Sequence, residues 1–115
     1  MRRSLTRRER LGRGPALTNL FRSGRRVGGR GAKLVLRENG LEWSRVAVVT
    51  ARGYPSAVKR NRDKRQVREL YRNEKPRSGF DIAVVLYPGP YSGPERRRQI
   101  RELLVRSGTY RSSGA

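Results

Sequence analysis

Apolar positions in this chain gather in a few short blocks separated by turn-forming residues. Leu17, Leu20 and Phe21 stand at the i, i+3, i+4 spacing of one helix face. Pro15 suits a first helical turn, Gly14 a permissive N-cap and Gly24 a stop. Phe21 belongs to the core on this reading. Residues 32–37 alternate as a strand, with Leu34 and Leu36 on one face and Lys33, Val35 and Arg37 on the other. Glu38-Asn39-Gly40 is a turn, and Asn39-Gly40 suits a hairpin that needs positive φ. Residues 43–50 form the next strand, Val46, Val48 and Thr50 alternating with Arg45, Ala47 and Val49. Gly53-Tyr54-Pro55-Ser56 breaks it and leads into a helix over 57–73, with Ser56 as N-cap. Residues 80–87 are the most apolar segment and read as a central buried strand. A last helix, about 94–106, buries Ile100, Leu103 and Leu104 and ends at Gly108. Val27 falls in a very short strand. The predicted order is α-β-β-β-α-β-α: one α+β sandwich domain over 1–115, its mixed sheet of about four strands packed by helix on one face and open as a groove on the other. By the general rule, two parallel strands joined through the middle helix would cross over right-handedly.

The middle helix changes the picture. It holds no Gly or Pro, and Arg60, Lys64, Arg68 and Arg72 follow one another four apart, with Asn61 and Arg65 alongside. At about 100° per residue these form a cationic stripe about 140° wide. Val67, Leu70 and Tyr71 cluster on the neighbouring face and dock it onto a core. Like charges four apart repel, so the helix is destabilised until a polyanion lies along the stripe.

Charge points the same way. The chain of 115 residues carries 29 Lys+Arg against 9 Asp+Glu, a net charge of +20. So large an imbalance destabilises a compact state unless an anionic partner is near. Nucleic acid is the first candidate and an anionic lipid surface the second. The longest apolar run, residues 82–87, is far too short to span a bilayer, and no apolar stretch follows the N-terminal arginines as a secretory signal requires. Residues 1–13 read as a basic arm, either disordered or laid on phosphates, and 109–115 as a disordered tail. The Gly-rich stretch 25–31 lacks the Gly-Lys-Ser/Thr ending of a nucleotide-binding loop. Without His or Cys, and with scattered carboxylates, the chain shows no constellation for acid–base or two-metal chemistry. If it belongs to a nuclease, another component breaks the bond.

The triplet Arg60-Asn61-Arg62, followed by Lys64-Arg65 and Arg68-Glu69 and preceded by residues 45–50 and Ala57-Val58, resembles the signature of the bacterial ribonuclease P protein component. That protein is the basic partner of a catalytic RNA that trims the 5′ leader from precursor tRNA. Arg7-Arg8-Glu9-Arg10-Leu11 and Leu20-Phe21-Arg22-Ser23-Gly24 look like the family's first helix and its ending, and residues 79–85 like its last strand. The resemblance covers residues 4–110. It implies a left-handed β-α-β crossover, against the general rule, in a fold like that of a ribosomal protein domain. It also implies a bacterial cytoplasmic location and no catalytic residue, with Mg²⁺ required by the holoenzyme RNA and no cofactor or metal on the protein.

By that resemblance Arg52, Lys59, Arg60, Asn61, Arg62, Lys64, Arg65, Arg68 and Arg72 face the catalytic RNA. The leader lies in a cleft formed by Leu17, Phe21, Lys33, Val35, Arg45, Ala47 and Val49. Family members often carry aromatics where this chain has Leu17, Ala32 and Val35, so leader contact here leans on the charges of Lys33 and Arg45. Asp63 stands where an apolar residue is usual, with Lys59, Arg60 or Arg62 as candidate partners or the core edge as its place. Pro55 replaces a frequent Gly. A small ribosomal protein binding ribosomal RNA is the alternative reading; a DNA-binding module is a weaker one, since no helix-turn-helix spacing is evident.

Overall fold

The structure, a computed structural model, describes residues 7–110; the expectations for 1–6 and 111–115 fall outside it. After a single 3₁₀ turn, Arg7–Glu9, the elements are α1 (Pro15–Ser23), β1 (Arg25–Gly29), β2 (Ala32–Glu38), β3 (Arg45–Thr50), α2 (Ala57–Asn73), β4 (Phe80–Leu86) and α3 (Gly93–Arg106). Helix starts follow the local chemistry. Ser56 accepts the Lys59 amide at 3.1 Å to cap α2. Ser92 and Glu95 form a reciprocal capping box on α3.

The sheet runs β1-β2-β4-β3. β1–β2 and β2–β4 are antiparallel, β3–β4 parallel. The hairpin expected at Asn39-Gly40 is therefore not one: β4 lies between β2 and β3. Gly40 does take positive φ, but Asn39 donates to the Trp43 carbonyl and to Asp81 and accepts the Leu41 amide, shaping a wide loop. The actual hairpin is β1–β2, turning at Arg30 and Gly31, the glycine at φ 76°. β1, expected only as a trace around Val27, is a full edge strand. β4 takes the centre because it is the strand whose two faces are both apolar: Ile82, Val84 and Leu86 on one, Ala83 and Val85 on the other, all buried.

Two cores follow from the alternation of side chains. The larger packs Leu34, Leu36, Val46, Ile82 and Val84 against Val67, Leu70 and Tyr71 of α2 and Ile100, Leu103 and Leu104 of α3. The smaller lies on the opposite face, where α1 crosses the sheet and presses Leu20 onto Val35, Ala47 and Ala83, joined by Leu11. Burying a leucine such as Leu20 contributes about 1.5–3 kcal/mol.

Two terminal expectations are corrected. Thr109 and Tyr110, read as tail, are buried; the Tyr110 hydroxyl donates to the Glu74 carbonyl, and the Thr109 carbonyl accepts from the Arg77 amide. Residues 7–11 are docked. The Leu11 amide donates to the Val46 carbonyl at 3.0 Å, and the Trp43 Nε1 donates to the Arg8 carbonyl, with the Arg8 guanidinium 4.7 Å above the Trp43 ring. Glu9 completes the anchor, accepting from the Tyr71 hydroxyl at 3.0 Å and pairing with Lys75 at 3.2 Å. Burial, then this bond to Glu9, raises the Tyr71 hydroxyl well above its ordinary range.

Candidate nucleic-acid interface

β3 is an edge strand, so its outer side faces the space between α1 and α2. An open cleft of about 780 Å³ occupies that space. Its floor is residues 46–50 of β3. One wall is Leu17 and Phe21 of α1 with Arg10 and Arg13 of the basic arm; the other is Lys64, Arg65, Arg68, Glu69 and Arg72 of α2. Six cations thus face one carboxylate, and Glu69 only approaches Arg72, at 3.8 Å across exposed surface. Such a pair neutralises little. An apolar floor between cationic walls suits a single nucleic-acid strand, with phosphates at the walls and bases on the floor.

The structure brings together Leu17, Phe21, Ala47, Val49, Lys64, Arg65, Arg68 and Arg72 of the expected site. It adds Arg10 and Arg13 of the basic arm. Lys59, Arg60, Asn61 and Arg62 lie on the first turns of α2 beyond the cleft, Asn61 and Arg62 exposed and Lys59 and Arg60 half-buried. No acidic residue occupies that first turn, so these cations sit at the positive end of the helix dipole, at a cost of about 0.3–1 kcal/mol each. A bound phosphate would relieve that cost. Arg52 is exposed just past β3. Lys33 is half-buried on the sheet face that α1 crosses, outside the cleft.

Three expected cleft residues, Lys33, Val35 and Arg45, thus do not line it. Val35 is 0% exposed: it shares the face of Lys33, but α1 lies directly on it. Arg45 is committed elsewhere. Its Nε and Nη2 donate to the two carboxylate oxygens of Asp81 at 2.8 and 2.7 Å, and Asn39 adds a bond at 3.0 Å. Burial pushes the Asp81 carboxyl up, but the bonds from Arg45 and Asn39 outweigh it and hold the group below its ordinary value; Asp81 in turn raises the Arg45 guanidinium. A depressed folded-state value stabilises the protein above the unfolded carboxyl's pKa, and that contribution is lost as pH falls through the folded one. Thermal melts from pH 6 to pH 2 should therefore show Tm falling below about pH 4, with a shallower acid limb in Asp81→Asn. Equal limbs in the two proteins would show that the pair is not part of acid unfolding.

Asp63 pairs with none of its expected neighbours. Its carboxylate accepts from Arg96 Nη2 of α3 at 2.9 Å and from the Tyr54 hydroxyl at 2.7 Å. The side chains of Arg96 and Asp63 are 0% and 3% exposed. Arg96 also donates to the carbonyls of Gly31 and Tyr87, to Gln99 and to the Tyr54 oxygen, and lies 4.7 Å from the Tyr91 ring centre. Burial and the bond to Asp63 push the Tyr54 hydroxyl up to about 12, so it remains a donor. Sequence reasoning missed Arg96, although a signal exists. Arg96, Ile100 and Leu103 share one helical face, as do Asp63, Val67 and Leu70: opposite charges sit on the apolar stripes of two helices.

The Ribonuclease P family model matches residues 5–108. The ribonuclease P protein component of Thermotoga maritima is 39% identical over 88 residues, 74% of each chain. The solved structure of the RNase P protein from Thermotoga maritima superposes with a TM-score of 0.76 at 29% identity, covering 85% of this chain and 96% of that one. The RNase P protein from Staphylococcus aureus, at 19% identity, shares the fold with a TM-score of 0.78 over 96% of this chain and 98% of its own. With a family match spanning nearly all the described residues and a close relative at this identity, the chain belongs to the ribonuclease P protein component family.

Proposed function

We propose that this chain binds the catalytic RNA of ribonuclease P along the cationic face of α2 and holds the single-stranded 5′ leader of precursor tRNA in the cleft over β3, in the bacterial cytoplasm. The observation that carries the reading is the cleft itself: a strand edge walled on both sides by six cations against the single carboxylate of Glu69. Lys59, Arg60, Asn61 and Arg62 extend the same charge along the first turns of α2, and Arg52 adds to it beyond β3. Each phosphate that displaces counterions there adds affinity that weakens with salt.

The protein's own groups supply binding and orientation. The donor set does not fit a Mg²⁺ site: Asp63, Asp81, Glu74 and Glu9 are each engaged by an arginine or lysine, and no group of three or more potential metal ligands occurs among the described residues. On this reading the cleavage chemistry and its Mg²⁺ reside in the RNA, and the cations of the protein lower the repulsion between the two RNAs. Reconstitution tests it. Adding the chain to a bacterial catalytic RNA should restore precursor tRNA cleavage at Mg²⁺ concentrations where the RNA alone is inactive, and should favour substrates that carry a leader. Equal stimulation of leaderless substrate would remove the cleft assignment. No stimulation, or cleavage by the protein without RNA, would remove the whole reading.

A further inference from the structure

Lys33, Val85 and Val49 are register neighbours on β2, β4 and β3. They form a shelf on the sheet face that α1 crosses, continuous with the cleft through Val49. Tyr87 follows Val85 by two residues. Its amide donates to the Gly31 carbonyl at 2.9 Å, which carries the β2–β4 ladder one step past Leu86, so its side chain falls on the shelf face. Its carbonyl accepts from the buried Arg96. Both backbone polar groups are thus pinned, yet the side chain remains 37% exposed, and Val58 is the other large apolar residue exposed to that degree among the described residues. Its ladder neighbours are Gly31 on one side and Ala51, whose amide bonds to the Leu86 carbonyl at 2.8 Å, on the other. Ala51 adds only a methyl group beside the ring, whereas the space over Gly31 is taken by the Tyr91 ring and the Arg96 guanidinium. Lys33 on the shelf and exposed Arg52 beside Ala51 put cations within the same region.

We propose that Tyr87 is a base-stacking residue that receives one unpaired nucleotide of single-stranded RNA as the strand leaves the cleft. The inference rests on the reading of the cleft as the leader site and adds to it a contact that depends on the base. An aromatic ring whose backbone is already fixed loses little freedom when a base lands on it, and stacking is sequence-tolerant because every base presents a π-face. The ring compensates for the aliphatic Leu17 on the cleft wall.

Precursor tRNAs carrying 2-aminopurine or an abasic residue at successive leader positions can be bound to holoenzyme reconstituted with wild-type protein, Tyr87→Phe or Tyr87→Ala. One position should show quenched fluorescence with wild type and Tyr87→Phe but not with Tyr87→Ala. Tyr87→Ala should weaken binding about 5- to 150-fold. An abasic residue at that position should weaken wild type comparably and Tyr87→Ala no further. If Tyr87→Ala changes neither affinity nor fluorescence while Arg68→Glu weakens leader binding, the ring is idle and the cleft reading survives. If removing the leader and Arg68→Glu both leave affinity unchanged, the cleft reading fails and this inference with it.

Discussion

Replacing Arg96 by methionine is expected to cost about 3–5 kcal/mol of folding stability, the range seen when one partner of a buried ion pair is removed. The change leaves the Asp63 carboxylate almost without solvent and with only the Tyr54 hydroxyl as donor. It also strips the Gly31 and Tyr87 carbonyls of the guanidinium they share. Against a total stability of about 5–15 kcal/mol, that is a large fraction. Equilibrium denaturation of Asp63→Leu, Arg96→Met and the double variant would measure the coupling. The double variant should be more stable than the sum of the singles implies, because it removes both charges at once. A loss under about 1 kcal/mol for Arg96→Met would show that the node does not hold α2 and α3 together. The consequence reaches the interface, since Asp63 sits on the same helix as Lys64, Arg65 and Arg68, and its attachment to α3 fixes how that row faces the cleft.

The second large effect concerns the row itself. Arg65 and Arg68 are exposed on α2 and line the cleft. Their joint replacement by alanine should leave the melting curve nearly unchanged and lower the slope of log affinity against log salt by about 1.4–1.8, or about 0.7–0.9 per lost phosphate contact. Charge reversal to glutamate should go further and weaken RNA binding by at least about a hundredfold at physiological salt, since two attractions become two repulsions. Arg98, exposed on α3 and outside the cleft, is the control, and Arg98→Ala should change affinity only slightly. Filter binding or anisotropy titrations at several salt concentrations decide the matter. If Arg98→Ala and the cleft pair lose affinity equally, the protein attracts RNA only through its overall charge of +20, and the cleft has no special part.

Elements with a strong local period were legible in the chain. α2 was readable in extent and in both its faces, because Val67, Leu70 and Tyr71 recur at helical spacing and the arginines fill the adjoining arc. α1 was fixed by its Pro and Gly ends, and β4 by its unbroken apolar run. What failed depended on partners distant in sequence. A valine at 35 alternates onto the face opposite Leu34 whether or not a helix lies on it, so only packing with Leu20 shows that it is buried. Arg45 looks like any surface cation until Asp81, thirty-six residues away, arrives as its register neighbour. Asn39-Gly40 permits a tight hairpin but does not demand one. The more apolar β4 gains by lying between β2 and β3.

The sequence by itself determined the cationic face of α2, the order of the elements and the net positive charge that calls for an anionic partner, because helical period and charge count are local or additive properties. The tertiary structure decided that β3 is an edge and therefore the floor of a cleft, that the arm docks through Glu9 and Leu11 to supply part of its wall, and that Asp63 is neutralised by Arg96. Those features arise from strand pairing and the pairing of buried charges. In both, the favourable energy depends on which distant residue is brought near, and no window of the chain contains that information.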